Sequence, residues 1–258
     1  MPEQQEEIWF INHMEDLART ADQTGYIVWT DFLDDYQRSL LSAQKGRLPV
    51  CLRYFGGYPD AEREIAAFYP AYLEEAVEEA LQDEIALLEI RPLDQRFVKK
   101  SLSHRDYLGA LMGTGIRRDK IGDILLAEEA TYLWTKRDLA AYIIQELREV
   151  GPVRVEAKEV DAAALPEQQP GKTFVISVSS PRLDAMVSRG FQMGRGEAVK
   201  WIAAGRVFRN GQQQTSGDKQ VQVKDKITLR GKGRLVVLEE KGASKSGRRQ
   251  FLVERKGQ

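Results

Sequence analysis

Between Asp83 and Asp161 the chain reads EIALLEI (84–90), SHRDYLGALMG (103–113), GDILLA (122–127), ATYLWT (130–135), KRDLAAYIIQELRE (136–149) and VRVEAKEV (153–160). The first segment is a short apolar run of the kind a buried strand makes, and the second and fifth carry helical periodicity. The third and fourth are strands divided by Glu128-Glu129, and the last alternates apolar and polar residues as a strand does. The order βαββαβ is the split ferredoxin-like arrangement shared with RNA-recognition motifs, in which two helices cover one face of a four-stranded sheet. Two expected helix starts agree with it, since Ser103 with Asp106 and Thr135 with Asp138 each place a hydroxyl three residues before an acid.

Upstream, residues 1–82 hold 16 acidic and 6 basic side chains and read as mainly helical with one strand. Asp31 and Asp34 open a helix whose apolar side is Phe32, Leu33, Tyr36, Leu40 and Leu41, and Gly46 stops it. LPVCLRYF (48–55) alternates as a strand. After the turn FGGYPDAERE (55–64), Ala61 to Phe68 and Ala71 to Gln82 read as two short helices broken at Pro70. Gly56-Gly57 lacks the Gly-Lys-Ser/Thr of a phosphate loop and reads as a turn that needs positive φ. DAAALPEQQPGK (161–172) has two prolines and no periodicity, so 162–172 reads as a linker.

Charge divides the chain. Residues 171–258 carry 19 Lys and Arg against 7 Asp and Glu, a net of +12, while residues 1–170 hold the other 19 against 32, a net of −13. A basic module of that size attracts a polyanion, because each phosphate neutralised releases condensed counterions. One cysteine excludes an internal disulfide, and with two histidines it leaves too few soft ligands for zinc. No run approaches the length of a membrane span, and the first ten residues are acidic where a signal peptide is basic then apolar, so a cytoplasmic location is expected.

The basic end opens with the strand TFVISVSS (173–180). A helix follows, with Pro181 at its first turn, Leu183, Met186 and Val187 inward and Gly190 at its end. A second helix runs from Arg195 to Ala204 with Ala198, Trp201 and Ile202 inward. RVFRNG (206–211) is a strand entering an Asn-Gly turn, and KITLRG (226–231) and GRLVVLEE (233–240) are further strands. Two small helices on a short sheet bring Arg182, Arg195, Lys200, Arg206 and Arg209 into a basic ridge.

PRLDAMVSRG (181–190), GRGEAVKWIAAGRVFRNG (194–211) and VKDKITLRG (223–231) together resemble the S-four domain, the small RNA-binding domain named after small-subunit ribosomal protein four. They depart from its pattern at Gly194, where Ser is usual, and at Phe208, where Val is usual. A missing Ser removes about 1 kcal/mol of helix capping if nothing replaces it. Farther upstream, FLDDYQ (32–37), RYFGGYPDAERE (53–64), LSHRDYLGALMGTGIRRDKIGDILL (102–126) and ATYLWT (130–135) are similar to the YlmH family of bacterial S-four proteins, some of whose cyanobacterial and plastid members carry a photosystem II label. The resemblance implies a non-enzymatic binder of ribosomal or transfer RNA, associated with the large ribosomal subunit and the rescue of stalled translation, with links to cell division. It implies no cofactor.

Three features invite other readings. His104-Arg105-Asp106 mimics a kinase catalytic loop, but no downstream Asn, Asp-Phe-Gly or Gly-rich loop accompanies it, and Asp106 has a capping role. Arg117-Arg118-Asp119-Lys120 is a basic loop on an acidic domain, either a solvated turn or an RNA contact. Tyr132 and Trp134 share a sheet face, where they serve packing or stack bases. S-four domains also occur in RNA-modifying enzymes, yet the rest of the chain offers no catalytic Asp motif and no nucleotide loop. An adaptor whose acidic half docks a basic protein is compatible with RNA binding.

The resulting expectation is a three-part α+β protein. An acidic N-terminal region (1–82) precedes a ferredoxin-like domain (83–161), the linker (162–172) and an S-four-type domain (173–258). RNA contacts fall on Arg182, Arg195, Lys200, Arg206 and Arg209, flanked by Lys219 and Lys226, with Asp184 orienting a nearby arginine.

Overall fold

The structure, a computed structural model, describes residues 2–59, 61–94, 102–166, 171–244 and 247–256. It is an α+β protein built on antiparallel sheets, and it separates into two compact units, 1–167 and 168–258.

The first unit begins with α1 (Pro2–Thr24), then β1 (Val28–Trp29), α2 (Asp35–Gln44), β2 (Cys51–Phe55), β3 (Ile65–Tyr69) and α3 (Glu74–Glu84). Residues 1–82 contain three strands rather than one, and the second half of the stretch from Ala61 to Phe68 belongs to strand β3, the centre of the sheet β1-β3-β2, instead of a helix. The reason is burial on both faces. Ile65, Ala67 and Tyr69 enter one core with Trp134, whereas Ala66 and Phe68 enter another with Phe10, Met14 and Leu41. A strand covered on both sides loses its alternation, and an Ala-rich apolar run then looks helical. The start of α2 is also displaced: Asp34 caps it, exchanging bonds with Gln37, and Asp31 lies outside.

A second sheet follows, made by β4 (Ile85–Pro92), α4 (His104–Gly113), β5 (Ile121–Leu126), β6 (Thr131–Lys136), α5 (Arg137–Glu146), β7 (Glu149–Val150) and β8 (Val153–Glu159). Its strand order is β5-β6-β4-β8-β7, five strands where four were expected, because Glu149 and Val150 turn back to pair with β8 at the edge. Strand alternation assigns its two faces: Ala86, Leu88, Ile90 and Leu133 meet α4 and α5, while Ile85, Leu87, Tyr132 and Trp134 meet β3 and α3. Ser103 donates from N and Oγ to Asp106 Oδ2 at 2.7 Å, so that helix start stands. The other does not: Thr135 lies in β6 and bonds Lys120 O, and α5 starts after Lys136 with no side-chain cap. Nor does α5 reach Glu149, which pairs with Arg154 as strand.

The second unit contains β9 (Lys172–Val178), α6 (Leu183–Gly190), α7 (Arg195–Ala203), β10 (Val207–Arg209), β11 (Gln212–Gln214), β12 (Lys226–Leu229), β13 (Gly233–Ala243) and β14 (Arg249–Lys256). They form a six-stranded antiparallel sheet, β11-β10-β12-β13-β14-β9. Leu183, Met186, Val187, Ala198 and Ile202 from the helices close its core with Val207, Ile227, Leu229, Leu235 and Phe251. The stretch 162–172 is not wholly linker, because Ala162–Ala164 make a 3-10 turn, Leu165 packs on the first unit and Lys172 opens β9; residues 167–170 lie outside the described residues.

Candidate nucleic-acid interface

Asp184 organises the first part of the basic surface. It sits in the first turn of α6, 4 % exposed, and Gly217 packs so closely that an added Cβ there would lie 2.9 Å from the Asp184 Cβ. Arg182, the residue before α6, donates from Nε to Asp184 Oδ1 at 3.3 Å, and Arg195, at the start of α7, donates from Nη2 to Oδ2 at 2.8 Å. Burial alone would raise the Asp184 carboxyl, but the bonds from Arg195 and then Arg182 outweigh it and hold the group below the usual carboxylate range. Both guanidinium groups are fixed at one edge and stay open to solvent, with side chains 40 % and 61 % exposed. A guanidinium held this way presents its remaining N–H groups to an anion without a large ordering cost. Pro181 stands before the helix rather than in its first turn, and α7 starts at Gly194 with no side-chain cap.

The second part surrounds Trp201. This residue, expected inward, is only half-buried. With Lys200, Ala204 and Arg206 it lines an open pocket of about 200 Å³. The Arg206 guanidinium lies 5.2 Å from the Trp201 ring centre and Lys232 Nζ 5.7 Å, while the Arg230 guanidinium lies 4.4 Å from the Phe208 ring. Backbone bonds hold the group together, from Arg206 N to Trp201 O at 3.1 Å and from Arg230 N to Arg206 O at 3.0 Å. Between α7 and β10, Gly205 takes φ +65 with Gln213 Nε2 2.4 Å from where a Cβ would sit, so the turn that carries Arg206 favours glycine. Arg230 and Lys232 were missed from the sequence. Their signal is LRGKG (229–233), a basic hairpin tip next in space to the Asn-Gly strand.

The remaining expected contacts behave differently. Arg209 is committed to Asp225 at 2.8 Å with its side chain 25 % exposed, and Asp225 also accepts from Asn210 Nδ2 at 2.7 Å. Its role is to hold the Asn210-Gly211 turn, where both residues have positive φ. Lys219 is exposed. Lys226 is half-buried in β12, with its N–H on Asn210 Oδ1 at 2.9 Å. The ridge is therefore two groups, Arg182 with Arg195 and Lys200 with Arg206, and Arg209 is no free charge.

In the first unit the basic loop is tied to the protein by its own pairs and bonds, although Arg117 is exposed. Arg117 and Lys120 both pair with Asp31, at 3.1 and 2.6 Å. Arg118 donates to the carbonyls of Ile121 at 2.6 Å and Gly122 at 3.2 Å, and burial, with Arg63 beside it, lowers its guanidinium to about 10. Burial and then Arg118 likewise lower His104. Trp134 is 2 % exposed and stacks on Tyr58 at 4.6 Å, so the aromatic face of the sheet is packed rather than open. Among the described residues no helix is long and apolar enough to cross a membrane, and no cluster of His, Cys, Asp and Glu could hold a metal ion.

Residues 80–164 match a family model described as "Putative RNA-binding domain in YlmH". The whole chain is similar to "Ribosome-associated protein quality control protein P2" of Bacillus subtilis (strain 168), 31% identical over 249 residues that cover 95% of this chain and 94% of that one. Its fold is also similar to the solved "Cell division protein ylmH from Streptococcus pneumoniae", with a TM-score of 0.53 at 20% identity over 61% of this chain and 93% of that one.

Proposed function

The chain belongs to the YlmH family, and from that premise we propose that it is a non-catalytic RNA-binding protein that works on the ribosome, with its second unit as the RNA surface. The observation that carries this reading is the exposed group of Lys200, Arg206, Arg230 and Lys232 around Trp201 and Phe208, in a segment of net charge +12. Among the described residues these cations have no carboxylate partner, and cations that lie on aromatic rings are free to exchange onto phosphates. Arg182 and Arg195, pinned at one edge by Asp184, extend the surface, and Lys219 flanks it. The substrate we infer is structured ribosomal or transfer RNA on the large subunit, in the rescue of stalled translation. The name of the Bacillus relative, a ribosome-associated quality control protein, supports that setting.

The strand order β5-β6-β4-β8, with α4 and α5 on one face, supports an RRM-like reading of the middle domain. In such domains the other face stacks bases, and here β3 and α3 cover it. RNA contact by residues 80–164 then falls to loops and edges, which leaves the larger share to the second unit.

Binding of transfer RNA and of a ribosomal RNA fragment to the full chain, titrated against salt, tests the proposal. Four phosphate contacts give a slope of log K on log[salt] of roughly −3 to −3.5. Changing Lys200, Arg206, Arg230 and Lys232 to Glu should flatten the slope in a chain that keeps its circular dichroism. An unchanged slope would place the RNA elsewhere.

A further inference from the structure

Resting on the RNA-binding reading above, we propose that Trp201 is the floor of a site for one unpaired nucleobase, with Lys200 and Arg206 placed to hold the phosphates that flank it.

Trp201 is built as a fixed platform. Part of its ring packs on the core that contains Ala198 and Ile202, and its Nε1 donates to Glu197 Oε1 at 3.4 Å, one helical turn earlier. The polar edge of the indole is therefore engaged within α7, which leaves its face for a ligand. Its uncovered surface floors the pocket of about 200 Å³, whose other walls are Ala204, Lys200 and Arg206. A methyl group and two long stems ending in cations suit a flat ring joined to anions, and the Glu197 carboxylate lies at the Nε1 edge of the indole rather than in the pocket lining.

In the free chain two cations already use the π-face, Arg206 at 5.2 Å and Lys232 at 5.7 Å. Cation–π contacts at a solvated surface are weak, whereas a guanidinium or ammonium on a phosphate makes charge-assisted hydrogen bonds. When RNA binds, the cations pass to phosphates and the bared ring takes a base. Only an unpaired base qualifies, because a paired one inside a helix has both faces covered by its neighbours. The site therefore selects a bulge, loop or end, whereas Arg182 and Arg195 need only a backbone.

The test uses the full chain and two RNA hairpins that differ by a single bulged 2-aminopurine. The wild type should bind the bulged hairpin on the order of tenfold more tightly and quench its fluorescence. Trp201→Ala should bind both hairpins alike with an unchanged salt slope, and Trp201→Phe should keep most of the preference. With 5-fluorotryptophan in all four tryptophans, one fluorine resonance, absent in Trp201→Phe, should shift on adding the bulged hairpin while those of Trp9, Trp29 and Trp134 hold still. Equal binding of both hairpins by the wild type, or a preference that survives Trp201→Ala, overturns the base site and leaves the phosphate surface standing. No binding of either hairpin at low salt overturns the RNA-binding reading itself.

Discussion

Arg195 Nη2 donates to Asp184 Oδ2 at 2.8 Å and Arg195 Nε to the same oxygen at 3.2 Å, which ties the first turn of α7 to the first turn of α6 through a carboxylate only 4 % exposed. A buried charge is costly unless it is paired, and this one holds two arginines. One acid thus joins the helix pair and aims two of its cations.

Asp184→Asn removes the charge and keeps the shape. It should lower stability by about 1.5–3 kcal/mol, the range for hydrogen bonds to charged groups. Urea denaturation should show a lower midpoint with an unchanged m-value. RNA affinity should fall as well, although the variant is one unit more basic, since Arg182 and Arg195 lose their common anchor; a gain in affinity would show that net charge outweighs orientation.

Glu89 sets a pH dependence in the first unit. It is 3 % exposed in β4, faces Lys158 on one neighbouring strand and Tyr132 on the other, accepts from Arg91 Nη2 at 2.9 Å and forms an ion pair with Lys158 Nζ at 3.0 Å. Arg91 foremost, with Lys158, holds the carboxyl down at about 2 against the burial that raises it. Because the folded value lies below the ordinary value of about 4.3, the stabilisation is complete above that pH. It drains away as pH falls toward 2. Glu89→Gln should flatten the stability curve in that window and leave its shape above pH 5 unchanged, as thermal melts across the range would show.

Much of this was legible in the sequence because local rules and tertiary structure agreed. EIALLEI, GDILLA, ATYLWT and VRVEAKEV all contain strands, Ser103 and Asp106 do close a helix start, and Asp184 does orient an arginine. The failures share one physical cause. Residues 65–69 are buried on both faces, so their period vanished; Thr135 was taken from a cap by the strand it belongs to; and α1, with a thin apolar stripe of Phe10, Met14, Ala18 and Ala21 among acids and glutamines, gave no signal until β3 supplied the surface it covers. At the candidate site, Arg209 looked as free as Arg206 because both precede an Asn-Gly turn. Only the fold brings Asp225 to one and Trp201 to the other.

The basic loop at 117–120 should prove structural. Arg117→Ala removes an exposed pair with Asp31 and should cost under about 1 kcal/mol. Arg118→Ala takes a donor from the Gly122 carbonyl in a half-buried place, while Ile121 O keeps Arg63 Nε at 3.1 Å, and should cost about 1–3 kcal/mol. Neither should change the salt slope for RNA, in contrast to Arg206→Glu. A flattened slope in Arg117→Ala would return this loop to the RNA surface.

The covered sheet face depends on close contact at one glycine. Gly57 has φ +91, and a Cβ there would lie 2.2 Å from Trp134 Nε1 and 2.3 Å from Cδ1, in a ring already stacked on Tyr58. Gly57→Ala must pay for a left-handed backbone, about 1–2 kcal/mol, and for moving an indole in a packed core, about 1–3 kcal/mol more. Gly109, in the middle of α4, is the internal comparison: a Cβ there meets nothing within 4 Å, so Gly109→Ala should stabilise by up to about 1 kcal/mol through helix propensity alone. The two melting temperatures should therefore move in opposite directions from the wild type. If Gly57→Ala melted with the wild type, the turn would not press on Trp134, and the aromatic face of the sheet would be open enough to reconsider as a platform for bases.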